Sequence, residues 1–204
     1  MATKIAVAQL SAMRANRRVG TLEVYGRDAG WVALYAAIAS RATGVLIPEV
    51  CRDMASLERE FHIIFDRIHK DGYGLVIVSE GVVNALPKQK SKKKVDLDQF
   101  GHPRHADRGI DKWVANEIYR LTGMDTKSAI QPLHIVRGSP PTTFDVLLGK
   151  QFGLMAARLA FDGSYGLMVA LRGNEIIAVP TEQALASPKL VPTKLYESYR
   201  PLFA

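Results

Sequence analysis

Two arginines with a glycine beside each, one histidine and one glutamate stand where an α/β protein would keep a ligand. Arg27 follows Gly26 at the end of the run VGTLEVY, Glu80 follows GLVIVS, His134 falls within AIQPLHI, and Arg137-Gly138 comes just beyond. In open α/β sheets ligands bind outside the carboxyl ends of the strands. If these three runs are strands of one sheet, both arginines, the histidine and the carboxylate converge at one edge. Guanidinium and imidazole groups suit a phosphate, and a carboxylate can only accept hydrogen bonds, as from sugar hydroxyls. The glycines would let the backbone come close to a ligand. The set fits a phosphorylated polyol. The same spacing also admits a structural reading, with Arg27 and Arg137 bridging to Asp28, Asp145 or Glu80 and His134 a satisfied core histidine. Spacing alone leaves both open.

The elements that must position these residues can be read along the chain. Ile5, Val7, Leu10 and Met13 lie in an Ala-rich stretch that reads as a helix, and VGTLEVY is a strand by its β-branched content, closed by Gly26. Asp28 is placed to cap a helix running through Ala39, and VLIP reads as a short buried strand. Apolar residues at 57, 61, 64, 65 and 68 predict a helix over Leu57–Lys70 ended by Gly72, followed by the apolar strand GLVIVS. Positions 84–109 collect Lys, Pro, Gly and Asp and predict a long mobile loop. Helix resumes at Ile110 and ends at Gly123; AIQPLHI reads as a strand, Thr143–Phe161 as a long helix, and GLMVAL and EIIAVP as two more strands. Alternating strands and helices, with apolar strands, predict an α/β fold: three αβα layers around a mostly parallel sheet.

Composition narrows the classes. The chain has 204 residues, 48% hydrophobic and 23% charged, which excludes disordered and low-complexity chains and is long enough for a substantial core. The 27 Lys and Arg against 20 Asp and Glu give +7, but five of the lysines sit together in LPKQKSKKKV, read as a solvated loop. Aromatic residues are not interleaved with these lysines, and no helix-turn-helix or RNA-binding pattern accompanies them, so no nucleic-acid partner is expected. The longest apolar run, Trp31 to Ala39, is nine residues, about half of a membrane span, so no membrane partner is expected either. The single Cys51 cannot pair within the chain, and Met-Ala-Thr-Lys-Ile is no signal sequence, so the expected compartment is the cytoplasm and Cys51 an inert buried thiol. Phosphate-loop, zinc-helix, nucleophile-turn and paired Cys-x-x-Cys motifs are absent from the sequence, and no metal-ligating set is assigned.

LEVYGRDAGWVALYAAIA, VLIPEV, VIVSEG and LHIVRGSPPTTFDVLLGKQFGLMAARLAFDG, with FGHPRHADRG and GLMVALRGNEIIAVP, resemble the C-terminal half of the phosphofructokinase family in the family's order. That family includes ATP-dependent and pyrophosphate-dependent enzymes. The resemblance runs from about Arg18 to Pro180 and implies one acceptor-binding α/β region over 1–204, lacking part of the N-terminal donor-binding half. It implies transfer of a phosphoryl group to the 1-hydroxyl of fructose 6-phosphate, a glycolytic reaction. Tyr25-Gly26-Arg27 takes the place of the family's Met-Gly-Arg, with Arg27 stabilising the transferring group. Glu80 matches the glutamate that binds sugar hydroxyls, and His134 with Arg137 matches the His-x-x-Arg that holds the 6-phosphate. Arg18 stands where the family has an arginine reaching a neighbouring subunit's site. Lys127, beside Ser128, stands near the place of a second basic residue.

The family's Gly-Gly-Asp donor loop and its Thr-Ile-Asp-Asn-Asp segment, whose aspartate is the base, do not occur in this sequence. The resemblance therefore implies that Mg2+ with ATP or pyrophosphate binds mainly outside this chain. The implied partners are fructose 6-phosphate and either further copies, as a dimer or tetramer, or a donor-binding half. A catalytically silent sugar-phosphate-binding or regulatory subunit is the alternative.

Overall fold

The structure is a computed structural model that describes residues 1–87, 109–128 and 133–203. Contacts gather the described residues into two compact units, Met1–Arg137 with Leu190–Ala204, and Gly138–Lys189.

The first unit holds α1 (Ala2–Asn16), β1 (Val19–Val24), α2 (Trp31–Ser40), β2 (Gly44–Leu46), α3 (Met54–Asp71) and β3 (Gly74–Ser79). A 3-10 turn (Glu80–Ala85), α4 (Ile110–Thr122), β4 (Thr126–Ser128) and α5 (Leu133–Arg137) follow. The four strands form one parallel sheet in the order β2-β3-β1-β4. Parallel pairing demands crossovers, and α2, α3 and α4 supply them. Strand alternation then divides the core. Leu22, Val24, Leu75 and Ile77 pack with α1 and α2, whereas Val19, Val76 and Val78 pack with α3 and α4. These are the three layers expected of an α/β fold with a parallel sheet.

Most elements stand where periodicity puts them, with three differences. Asp28 does not cap α2: the N-cap is Gly30, and the buried Glu49 carboxylate accepts the Gly30 N–H at 3.0 and 3.1 Å. A carboxylate held from β2's end answers the orphan helix donor that Asp28 was expected to meet. AIQPLHI is not one strand: β4 ends at Ser128, positions 129–132 lie outside the described residues, and Leu133–Arg137 is helical. Proline cannot donate to a strand ladder but suits a helix start, which explains why helix rather than strand follows Pro132 in the sequence. The loop expected at about 84–109 begins inside the 3-10 turn, and its positions 88–108 lie outside the described residues.

The chain returns to the first unit through α8 (Thr193–Tyr199) and a short 3-10 turn (Arg200–Leu202). Val191 N–H donates to Glu49 at 2.8 Å, and the Tyr196 hydroxyl donates to Glu60 Oε2 at 2.8 Å while Arg200 bonds Glu60 Oε1 at 2.7 Å. Tyr196 is buried, and its burial beside Glu60 holds the phenol far above its usual range. Tyr196→Phe removes a hydrogen bond to a charged acceptor and is expected to cost about 1.5–3 kcal/mol, read by urea denaturation. Unchanged stability would show that this hydrogen bond does not help hold the tail.

The second unit holds α6 (Thr143–Phe161), β5 (Leu167–Arg172), β6 (Glu175–Pro180) and α7 (Thr181–Leu185). Helix α6 runs over the residues predicted and starts from a Thr142–Asp145 capping box. Strands β5 and β6 form their own antiparallel pair with Arg172 opposite Glu175, leaving only Gly173-Asn174 as the loop. Two residues can close a hairpin but cannot make a parallel crossover. Helix α6 buries no residue, and Phe144, Leu147, Leu154 and Phe161 are exposed, Phe161 at 92%. So much exposed apolar surface on one helix is the mark of an interaction surface.

Candidate functional site

Strands β1 and β3 run side by side with Val24 opposite Ser79, so the residues that follow each emerge together at the carboxyl edge of the sheet. Tyr25, Gly26 and Arg27 leave β1 there, and Glu80 opens the 3-10 turn after β3. The two chain segments grip one another. The Ser79 hydroxyl donates to the Gly26 carbonyl at 2.6 Å, the Gly81 N–H donates to the same carbonyl at 3.0 Å, and the Gly26 N–H donates to Glu80 Oε1 at 3.4 Å. Gly26 has φ +148°, a backbone that side chains rarely adopt, and a Cβ on it would fall onto the Ser79 hydroxyl. A Cβ on Gly81 would fall onto the Arg27 carbonyl. The glycine beside Arg27 is therefore required by strand-end packing, whatever it also allows a ligand. Sequence reasoning missed Ser79 and Gly81; the signal available was the Ser-Glu-Gly that directly follows an apolar strand.

Arg137 ends α5 with its guanidinium 4.1 Å from the centroid of the Tyr25 ring. That cation–π contact is its partner among the described residues of the first unit; it forms no ion pair there with Asp28 or Glu80. The Asp145 carboxylate is taken by the Thr142 N–H and hydroxyl at 3.0 and 2.7 Å, and these bonds lower its pKa. Stacking leaves the edge donors of a guanidinium directed outward, which is how an arginine meets a phosphate. His134 lies in α5, three residues before Arg137, so one helical turn carries both. The structure thus brings Tyr25, Gly26, Arg27, Glu80 and Arg137 to one sheet edge, with His134 on the helix that ends there.

Arg18 and Lys127 are not in that group. Arg18 precedes β1 and bonds Asp125 Oδ2 at 2.8 Å, while Lys127 on β4 bonds Asp125 Oδ1 at 3.1 Å. β1 pairs β4 from Val19 opposite Thr126, so both basic residues lie toward the amino edge. A six-residue strand separates Arg18 from Tyr25, about 20 Å at strand rise. Within one chain the eight candidate residues form two separate groups.

Glu23, which the sequence reading also passed over, lies buried on β1 between them. It and Asp111 of α4 are 0% and 1% exposed, and burial together with Asp111 pushes the Glu23 carboxyl up to about 8. The available signal was a charged residue in a strand of a sheet covered on both faces. Cys51 is buried; desolvation pushes its thiol up to about 12, which makes it inert as a nucleophile. Among the described residues no group of three carboxylate, histidine or cysteine side chains gathers as a divalent cation requires, so no step through a metal is assigned to them. Among the same residues no helix is long and apolar enough to cross a membrane.

A family model described as phosphofructokinase matches residues 2–160. The chain is 34% identical over 190 residues to the ATP-dependent 6-phosphofructokinase of Corynebacterium efficiens, covering 92% of this chain and 53% of that one. It is 37% identical over 184 residues to the pyrophosphate–fructose 6-phosphate 1-phosphotransferase of Streptomyces coelicolor, covering 89% and 51%. Among solved structures, the pyrophosphate-dependent phosphofructokinase of Marinobacter aquaeolei superposes with a TM-score of 0.68 at 20% identity, covering all of this chain and 54% of that one. At that identity the likeness speaks for the fold. The chain spans about half the length of the curated relatives it matches.

Proposed function

The chain belongs to the phosphofructokinase family, and from that premise we propose that it supplies the sugar-phosphate-binding half of a fructose 6-phosphate phosphotransferase. The observation that carries the reading is the meeting of Tyr25, Gly26, Arg27, Glu80 and Arg137 at the carboxyl edge of β1 and β3. In this reading Arg137 and His134 take the 6-phosphate, and Glu80 accepts hydrogen bonds from sugar hydroxyls. Arg27 stabilises the charge on the phosphoryl group as its bond to the donor breaks and its bond to the 1-oxygen forms.

The donor, ATP or pyrophosphate with Mg2+, belongs to a donor-binding half that also provides the base for the 1-hydroxyl proton. The exposed apolar side chains of α6 give such a half a surface to dock on. Arg18 and Lys127, at the opposite sheet edge, serve a neighbouring copy's site, so the working form is a dimer or tetramer. The proposed setting is the cytoplasm.

A second reading, a catalytically silent sugar-phosphate-binding or regulatory subunit, draws on Tyr25. It stands in the place of the family's methionine and holds the Arg137 guanidinium against its ring. Mixing the chain with a polypeptide carrying the donor half, then assaying phosphoryl transfer to fructose 6-phosphate, separates the two. Turnover that depends on both polypeptides supports the enzyme reading. Binding of the sugar phosphate without turnover would replace it with the silent subunit.

A further inference from the structure

The end of β1 is held by a contact that none of the roles above uses. Alternation along β1 puts Thr21 and Glu23 on the face that meets α4. The Thr21 hydroxyl donates to the Asp111 carbonyl at 3.2 Å, and the Asp111 N–H donates to Glu23 Oε2 at 3.4 Å. The two carboxyl groups lie within hydrogen-bonding reach of each other, both removed from water. Glu23 Oε1 is buried and meets no donor among the described residues. An ionised carboxylate in that position would leave a lone pair unanswered beside a second acid, whereas a protonated one answers both with a single bond.

We propose that Glu23 is a neutral acid at pH 7 whose Oε1–H is donated to the Asp111 carboxylate, and that this proton is a pH-sensitive latch clamping the first turn of α4 to the end of β1.

Geometry also decides which acid keeps the proton. Asp111 is the second residue of α4, in the first turn, where the positive end of the helix dipole favours a carboxylate. Glu23 sits within a strand and has no such help. Its neighbour in register on β3 is the apolar Val78, and among the described residues β4 pairs with β1 from Val19 to Thr21. Among the described residues, the charged groups acting on it are Asp111 from α4 and Glu80 from the 3-10 turn, both negative, so each adds to what burial does. Loss of the proton would set three carboxylates around the segment that leads into Tyr25, with the repulsion falling on the Gly26–Glu80 contact. The latch concerns the fold itself and stands whether or not a sugar phosphate binds.

A carboxyl raised from 4.5 to about 8 in the folded state binds its proton more tightly there than in the unfolded chain. Its contribution to stability is therefore full at low pH, falls as pH rises from about 4.5 to 8, and is level above that. Glu23→Gln keeps the shape, donates to Asp111 and cannot titrate. Melting temperatures of the full chain and of E23Q, measured from pH 5 to pH 9, are expected to diverge. E23Q should gain on the wild type steadily up to about pH 8, after which the gap stays constant. A gap that is the same at every pH would overturn the proposal. A second measurement does not depend on the variant folding: in wild-type chain labelled with 13C at the glutamate carboxyls, one resonance should titrate with a midpoint near 8. If every glutamate carboxyl titrates below pH 6, the latch does not exist.

Discussion

Gly81→Ala is expected to lower the melting temperature by about 6–12 °C and to weaken any ligand binding at the β1–β3 edge along with it. The cause is a collision between the added Cβ and the Arg27 carbonyl, with the Gly26 carbonyl close behind. Both obstacles are backbone, so no side-chain rotation relieves them; the two strand ends must part. Overpacking a tight site costs about 1–3 kcal/mol, and a backbone obstacle belongs at the upper end. For a chain of this size each kcal/mol moves the melting temperature by about 2–4 °C. The parting would also stretch the Gly81–Gly26 and Ser79–Gly26 hydrogen bonds that fix Tyr25 and Arg27. Gly149→Ala is the matched control. It lies in α6 with nothing within 4 Å of a new Cβ, so it should be neutral or gain up to about 1 kcal/mol from helix propensity. If G81A melts with the wild type, the crossing of the two strand ends is looser than described.

Arg137→Ala is expected to weaken fructose 6-phosphate binding by more than tenfold, since a charge-assisted hydrogen bond contributes roughly 1.5–3 kcal/mol. Arg137 is exposed and touches the protein through the Tyr25 ring, so the folded state should change little. The pair makes the test more specific. Tyr25→Phe retains an aromatic face for the guanidinium and should bind nearly as the wild type does, whereas Tyr25→Ala frees Arg137 and should lose part of the affinity. Arg137→Lys keeps the charge without the planar fork and should fall between wild type and alanine. Affinity unchanged in R137A, by calorimetry, would remove Arg137 from the phosphate site.

The sheet and its helices were legible because their signals are local. Apolar spacing at 57, 61, 64, 65 and 68 marks α3, β-branched content marks β1 and a continuous apolar run marks β3, strands that the fold buries on both faces. The candidate edge was legible for the same reason: parallel neighbours deliver the residues after each strand to one place, and Arg27 and Glu80 are those residues. What escaped depends on contacts far apart in sequence. Asp28 looked like a cap because it precedes a helix, yet Glu49, nineteen residues beyond Gly30, supplies the acceptor. AIQPLHI looked like a strand from its composition, yet its last three residues, Leu133, His134 and Ile135, are helical. Glu23 is polar within a buried strand, a pattern that acquires meaning only when α4 brings Asp111 to it across 88 residues. Gly81 could not be distinguished from a turn glycine until the Arg27 carbonyl was found against it.

Whether the carboxyl edge of β1 and β3 is a sugar-phosphate site is decided by calorimetric titration. Fructose 6-phosphate is titrated into the full chain, with glucose 6-phosphate and inorganic phosphate as controls and R137A beside the wild type. Saturable heat with fructose 6-phosphate, weaker binding of both controls, and at least a tenfold loss in the variant are expected. Equal affinity for all three ligands, or equal affinity in R137A, would contradict a sugar-phosphate site there.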